Sequence, residues 1–365
     1  MFACKEYNSR AYGNRSTWTK EYDRGSMKKA GGAVTIKDVA REAGVGAMTV
    51  SRVINSVAGS KVSHQTAERV RKVIDRMGYV PNHVARSLRG QRSNVIGLIT
   101  TDIGNPFWAA CARGVEREAR KHGYATILLA SDESPTVEAG HILALRGRRI
   151  DGLLLIPSAG LRPETWARDL GDFPVVALDR PIEGMETDSV LIHNDEAAYQ
   201  ATKHLLWHGH RRIAFIGYCE HTYTVQERMR GYRRAVQEAG LEPLIRAEVN
   251  DPVSTRDLAM DVLSGPEPVT GIFGMNNLVI NGILQAAMQK GLQVGKDLAV
   301  TGFEDFEWAS FMRPALTLVR QPGEEMGRKA AELLFARLAG NDTAMQSVLL
   351  DTELVIRESC GCGGN

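Results

Sequence analysis

Arg52, Ser51, Thr49 and Asn55 are hydrogen-bonding side chains crowded into one short segment, Thr35–Asn55, TIKDVAREAGVGAMTVSRVIN. With Ala47 and Met48 they suit contact with base edges and phosphates rather than bond-making chemistry. Arg can fork to guanine O6 and N7; the alternative for Arg52 is a phosphate clamp without base preference. Elsewhere the residues of catalysis are scattered. No G-x-G-x-x-G follows a strand pattern, and G-x-x-x-x-G-K-[ST], G-x-S-x-G and H-E-x-x-H are absent. No enzyme is therefore expected, and no cofactor. His204 and His208 stand four apart at a helix end; the nine histidines do not otherwise cluster at metal-ligand spacing, and a structural role is expected there. Cys360-Gly-Cys362 is a close pair in a tail expected to be disordered, with a metal or redox role as the alternative. No metal ligand is assigned.

The segment holding Arg52 has the pattern of a helix-turn-helix. Thr35 is a plausible N-cap, with Asp38 three residues on. Val39, Ala40 and Ala43 share one helical face. Gly44 supplies the turn and Val45 plugs the angle between helices. A second helix, Ala47–Asn55, buries Val50, Val53 and Ile54 and turns Ala47, Met48, Ser51 and Arg52 outward near the end that meets bases in such motifs. A third helix, Gln65–Met77, is bounded by Ser63 and Gly78.

From Val95 onward short apolar strands alternate with helical stretches. The first set has strands Val95–Thr100, Ala125–Ala130, Gly152–Ile156, Val175–Leu178 and Val190–His193. The second has Ile213–Gly217, Ile272–Met275 and Leu298–Gly302. Gly123, Gly240 and Gly291 stand where helices should stop. Two such sets predict two doubly wound, parallel-sheet halves with a ligand crevice at the carboxyl ends of the strands. Leu316–Gln321 is expected to cross back to the first half, with a helix at Gly323–Ala339.

The chain has 365 residues and a formal charge of +2, unevenly placed. Residues 1–93 hold 18 Lys and Arg against 7 Asp and Glu; the rest hold 27 against 36. A head of net +11 on a body of net −9 is the footprint of a nucleic-acid-binding piece joined to an acidic control domain. Five scattered cysteines and the lack of a continuous apolar leader point to a reducing cytoplasm and no membrane partner. A secreted sugar receptor is disfavoured on the same ground. Residues 1–33 have no apolar periodicity and read as disordered. Met27 is the expected native start, with a basic DNA-contacting arm as the alternative for residues 1–26.

The string TIKDVA, AGV, TVSRVIN, GYVPN and ARSLR, continued by IGLITTDIGNPFW, RRIDGLLLIPS, GHRRIAFIG, RGYRRAV, GIFGMNN, VTGFED and LVIRES, resembles the lactose-repressor/galactose-repressor family over about nine tenths of the chain. The resemblance implies an all-α helix-turn-helix head plus an α/β, periplasmic-binding-protein-like core. The expected boundaries are a head at 34–80, a hinge helix and linker at 81–93, a two-lobed effector-binding and dimerisation domain at 94–359, and a tail at 360–365. It implies a transcriptional regulator binding a pseudo-palindromic, double-stranded operator as a homodimer. The expected reading is a repressor of a carbohydrate-use operon relieved by a sugar or sugar acid, with corepression as the alternative.

The same resemblance implies the sites. Thr35, Ala47, Met48, Thr49, Ser51, Arg52, Asn55, Tyr79, Asn82, Ala85 and Leu88 are the implied DNA-contacting residues. Leu88 would be a minor-groove wedge, or else a linker residue packed on the body. Asp102, Phe107, Trp108, Arg228, Asn277 and Glu304 are the implied effector contacts, with a core role as the alternative for one of the two aromatics. Three positions depart from the family pattern. Gly46 replaces Ser, Asn276-Asn277 replaces Asn-Asp, and Glu304 replaces Asp. A retained Arg with one fewer acid favours an acidic ligand.

Overall fold

The computed structural model describes residues 34–54, 62–79, 92–160, 173–247 and 254–362. The chain divides between His83 and Val84 into two compact units. The expected extension 1–33, Asn55, the hinge residues Asn82, Ala85 and Leu88, and the last three residues lie outside the described residues.

The first unit holds α1 (Ile36–Ala43), α2 (Ala47–Ile54) and α3 (His64–Met77). Thr35 and Asp38 form a reciprocal capping box, which satisfies two backbone donors that a helix start leaves unpaired. Gly44 ends α1 at φ +63°, a left-handed conformation glycine adopts without a Cβ penalty. Ser63 caps α3 and Gly78 closes it in the same left-handed way. Val39, Ala40, Ala43, Val50, Val53, Val70 and Val73 form the shared core, with Val45 and Tyr79 packed at its edge. So small a core leaves the three helices dependent on their mutual packing and caps.

The second unit contains two six-stranded sheets. The first lobe runs β1 (Val95–Thr100), α4 (Pro106–Lys121), β2 (Ala125–Ala130), α5 (Pro135–Gly147), β3 (Gly152–Leu155), β4 (Val175–Leu178) and β5 (Asp188–Ile192). The second runs α6 (Asn194–Trp207), β6 (Ile213–Ile216), α7 (Tyr223–Glu238), β7 (Leu244–Arg246), α8 (Thr255–Ser264), β8 (Gly271–Gly274), α9 (Asn277–Gln289), β9 (Ala299–Phe303) and β10 (Thr317–Arg320). Then α10 (Gly323–Leu338) and β11 (Ser347–Leu350) return to the first lobe, and β12 (Glu353–Val355) ends in the second.

The strand orders are β11-β5-β4-β3-β1-β2 and β12-β10-β9-β8-β6-β7. All pairings are parallel except β10 with β12. β3, β4, β6 and β8 are buried at every position, as strands covered on both faces must be. Gly123, Gly240 and Gly291 follow helices at positive φ, as expected.

One expectation is corrected. Leu316–Gln321 does not cross to the first lobe as a strand. Its central residues, Thr317–Val319, pair in parallel with β9 and are buried there, so the apolar run is taken up by the second sheet. The crossing is confined to the link between Arg320 and Gly323, and α10 then packs on α4. No described helix is long and apolar enough to cross a membrane.

Candidate DNA-binding surface and ligand cleft

On α2, the apolar side is consumed by the head core and the other side is left outward. Met48 is 71% exposed and Arg52 is exposed, while Ala47, Thr49 and Ser51 are half-buried. A methionine this open on so small a core gives nothing to folding, which suits it to apolar contact with a partner. Thr35 is exposed but engaged in the α1 cap, and its hydroxyl donates to Asp38 at 2.6 Å. Tyr79 is half-buried against the core, so only part of its ring remains for contact. Gly46 leaves α2 with no side chain at its start; its carbonyl accepts from Thr49 and Val50, which is all the first turn requires of it.

In the second unit, a cavity of about 300 Å³ opens between the lobes at the carboxyl ends of the strands. Asp102 follows β1, Asp179 follows β4, Tyr218 follows β6, Glu304 follows β9 and Gln321 follows β10; all line it. Phe107, Trp108 and Arg228 line it too. The structure thus brings together five of the six expected effector residues. Asn277 is the exception. It does not line the cavity, and it acts instead through its backbone N–H, which donates to Glu304 Oε2 at 3.3 Å. Its neighbour Asn276 lines the cavity, caps α9 and donates to the Tyr218 hydroxyl at 2.9 Å. Phe107 and Trp108 serve both expected roles, since each is buried in the core and faces the cavity.

Arg228 is held rigidly. Its Nε donates to Asn194 Oδ1 at 2.8 Å, its Nη1 donates to the Met275 carbonyl at 2.7 Å, and its guanidinium lies 3.8 Å over the Phe303 ring. Burial lowers its pKa, opposed by Asp179 and Glu304. Burial likewise raises Asp179 and Glu304 above the usual carboxylate range, opposed chiefly by Arg180 for the first and Arg228 for the second. Arg180, invisible to sequence reasoning, makes a two-pronged ion pair with Glu133, with contacts of 3.1 and 2.8 Å. Asn105 caps α4 and donates to Glu304 Oε2 at 3.1 Å, joining the two lobes across the cleft.

Two features mark this cavity as built for a guest. Asp132, Glu133, Asp179, Cys219 and Glu304 all line it at positive φ, and such strain gathers where a backbone must aim side chains. Gln321 is 9% exposed and neither atom of its amide has a hydrogen-bond partner among the described residues. A buried amide left unpaired costs about 1–3 kcal/mol unless something else binds it. Sequence reasoning missed Gln321, Glu133, Arg180 and Tyr218, because a single polar residue after a strand carries no spacing signature.

A second cluster corrects an expectation. His204, His208, Cys360 and Cys362 come together within 4.8 Å of one another. Cys360 is buried rather than part of a loose tail. Sequence separation hid the convergence, which arises because residues 357–360 are bonded into the second lobe.

Residues 35–82 match the family described as bacterial regulatory proteins, lacI family, and residues 202–360 match the periplasmic binding protein-like domain. The chain is 33% identical to the HTH-type transcriptional regulator DegA of Bacillus subtilis, over 89% of this chain and 97% of that protein. It is 33% identical to the HTH-type transcriptional repressor PurR of Vibrio campbellii, over 89% and 98%. Among solved structures, it is similar to the transcriptional regulator CelR in complex with cellobiose, at 31% identity, TM-score 0.66, and coverage of 89% and 99%. The lac repressor dimer bound to operator shares the fold at TM-score 0.80 and 24% identity, over 90% of this chain and 99% of that one.

Proposed function

Because the chain belongs to the LacI family of bacterial regulatory proteins, and is a transcriptional repressor rather than an enzyme, we propose that it controls a carbohydrate-use operon as a homodimer relieved by a neutral sugar. α2 would enter the major groove, with Arg52 reading a base and Met48 filling apolar space beside it. Residues 81–93 would carry the ligand state from the cleft to the head.

The observation that carries the ligand-responsive reading is the unpaired Gln321 amide in a cavity walled by strand ends of both lobes. An amide of this kind both donates to and accepts from hydroxyls, and aromatic faces such as Trp108 suit the apolar face of a sugar ring. The charge balance favours a neutral guest over a sugar acid. Asp102, Asp132, Glu133, Asp179 and Glu304 face the cavity against two guanidiniums, and Arg180 is already committed to Glu133. Cellobiose in a relative with the same architecture supports the sugar class.

A thermal-shift panel of neutral sugars and of aldonic and uronic acids tests the reading. A neutral sugar at about 100 times its Kd should add about 2.7 kcal/mol to stability and release operator DNA. Tight binding by acids with every neutral sugar silent would overturn it.

A further inference from the structure

The His204, His208, Cys360 and Cys362 cluster lies away from the ligand cleft. α6 is 14 residues long, about 21 Å, and its first residue Asn194 touches Arg228 while its other end carries the histidines. His204 and His208 are one turn apart and so face the same way. The last segment of the chain enters against them under tight control. Thr317 N–H donates to Ser359 Oγ at 2.8 Å, Ser359 Oγ donates to the Val300 carbonyl at 2.6 Å, and Arg357 N–H donates to Thr317 Oγ1 at 2.8 Å. Gly361 then adopts φ +88°, a turn that swings Cys362 back over Cys360. Cys362 Sγ reaches 3.2 Å from His204 Nε2, 2.8 Å from His208 Nε2 and 2.8 Å from Cys360 Sγ.

We infer that these four side chains form a closed Cys2His2 site for a zinc-class transition-metal ion, which fastens the C-terminal segment to α6. Two thiolates and two imidazoles in a compact group are the donor set of tetrahedral structural zinc. Zinc–ligand bonds of about 2.0–2.3 Å place tetrahedral donors roughly 3.3–3.8 Å apart. The three contacts of Cys362 Sγ would open toward that spacing, and the remaining pairs already lie within 4.8 Å. Thr317 Oγ1 donates to Cys360 Sγ at 3.1 Å, the kind of outer bond that orients a ligand thiolate. On binding, the two thiol protons pass to solvent. With four protein donors the ion keeps no open position, so its role is to hold the fold together rather than to catalyse.

The test uses the full chain, purified under reducing conditions and loaded with zinc(II) or cobalt(II) alone. One ion per chain is expected, and the cobalt form should show visible d–d bands with a thiolate charge-transfer band. Cys362→Ser and His208→Ala should each weaken cobalt binding at least tenfold. Both replace partly exposed residues, so they remain testable where the buried Cys360 does not tolerate change. Chelation should lower the Tm of the wild-type chain and leave that of Cys362→Ser unmoved. The proposal is overturned by a fully reduced chain that takes up no cobalt, by cobalt binding equal in both variants and wild type, or by a native chain whose Cys360 and Cys362 are joined in a disulfide with no metal bound.

Discussion

Gln321 makes an unusual prediction because its side-chain amide bonds to nothing among the described residues. Gln321→Leu should leave unfolding by urea unchanged or slightly raised, since no partner loses a bond, yet weaken inducer binding by about tenfold or more. Calorimetry with the sugar found in the thermal panel reads this directly. Arg228→Ala should also abolish the response, at about 2–5 kcal/mol of binding, but with a stability cost, because Asn194 and the Met275 carbonyl lose their donor. Glu138 carries part of the pH dependence, beside Asp179 and Glu304, which burial also raises. Burial lifts its pKa to about 7, against donation from the Ser158 N–H and hydroxyl, both at 2.7 Å. The folded chain therefore keeps a proton that the unfolded chain has released, and stability should fall as pH rises from about 4.5 to 7. Glu138→Gln should reduce that slope by its own share, at most roughly 3 kcal/mol in urea melts compared across that range. Arg228, Asp102 and Glu304 were legible because they sit in or beside longer motifs. Gln321 and Glu138 were not, since their importance comes from what surrounds them in space.

At the level of elements, each lobe is held by a helix pair in glycine contact. A Cβ on Gly327 of α10 would lie 2.0 Å from the Cys111 carbonyl oxygen of α4, and one on Gly231 of α7 would lie 1.9 Å from the Asp195 carbonyl oxygen of α6. These backbones cannot yield cheaply, so Gly327→Ala and Gly231→Ala should each destabilise the second unit by about 1–3 kcal/mol or more in denaturant melts. The helices and the central strands could be read from apolar runs and their glycine stops. β7, β11 and β12 could not, for they are three or four residues long and half-exposed, with neither a continuous apolar run nor a period to mark them. Register between the lobes was also out of reach, because three crossings of the chain are tertiary choices with no local signal.

At the level of the whole molecule, the basic head and acidic body predict operator affinity that falls steeply with salt, as released counterions no longer favour binding. β2 is the edge strand of the first sheet and is at most half-buried along its length, while its neighbour β1, and β3 beyond it, are almost wholly buried. Leu128 on β2 is 43% exposed and Ile103, in the turn after β1, is 61% exposed. An apolar edge of this kind calls for a partner, and a second copy would place two heads on one DNA. For the proposed homodimer, Leu128→Asp should shift light scattering from dimer toward monomer, and a wild-type tetramer in reducing buffer would contradict it. If α2 enters the operator as proposed, the two copies read two symmetric half-sites. Selection of bound duplexes from a random-sequence pool, run with the wild-type chain and with Arg52→Ala, tests this. Wild type should enrich an inverted repeat, and Arg52→Ala should bind about 1–3 kcal/mol more weakly with preference relaxed at one position of each half-site. A wild-type chain that enriches no inverted repeat, or an Arg52→Ala variant that enriches the same sequence with equal affinity, would contradict it.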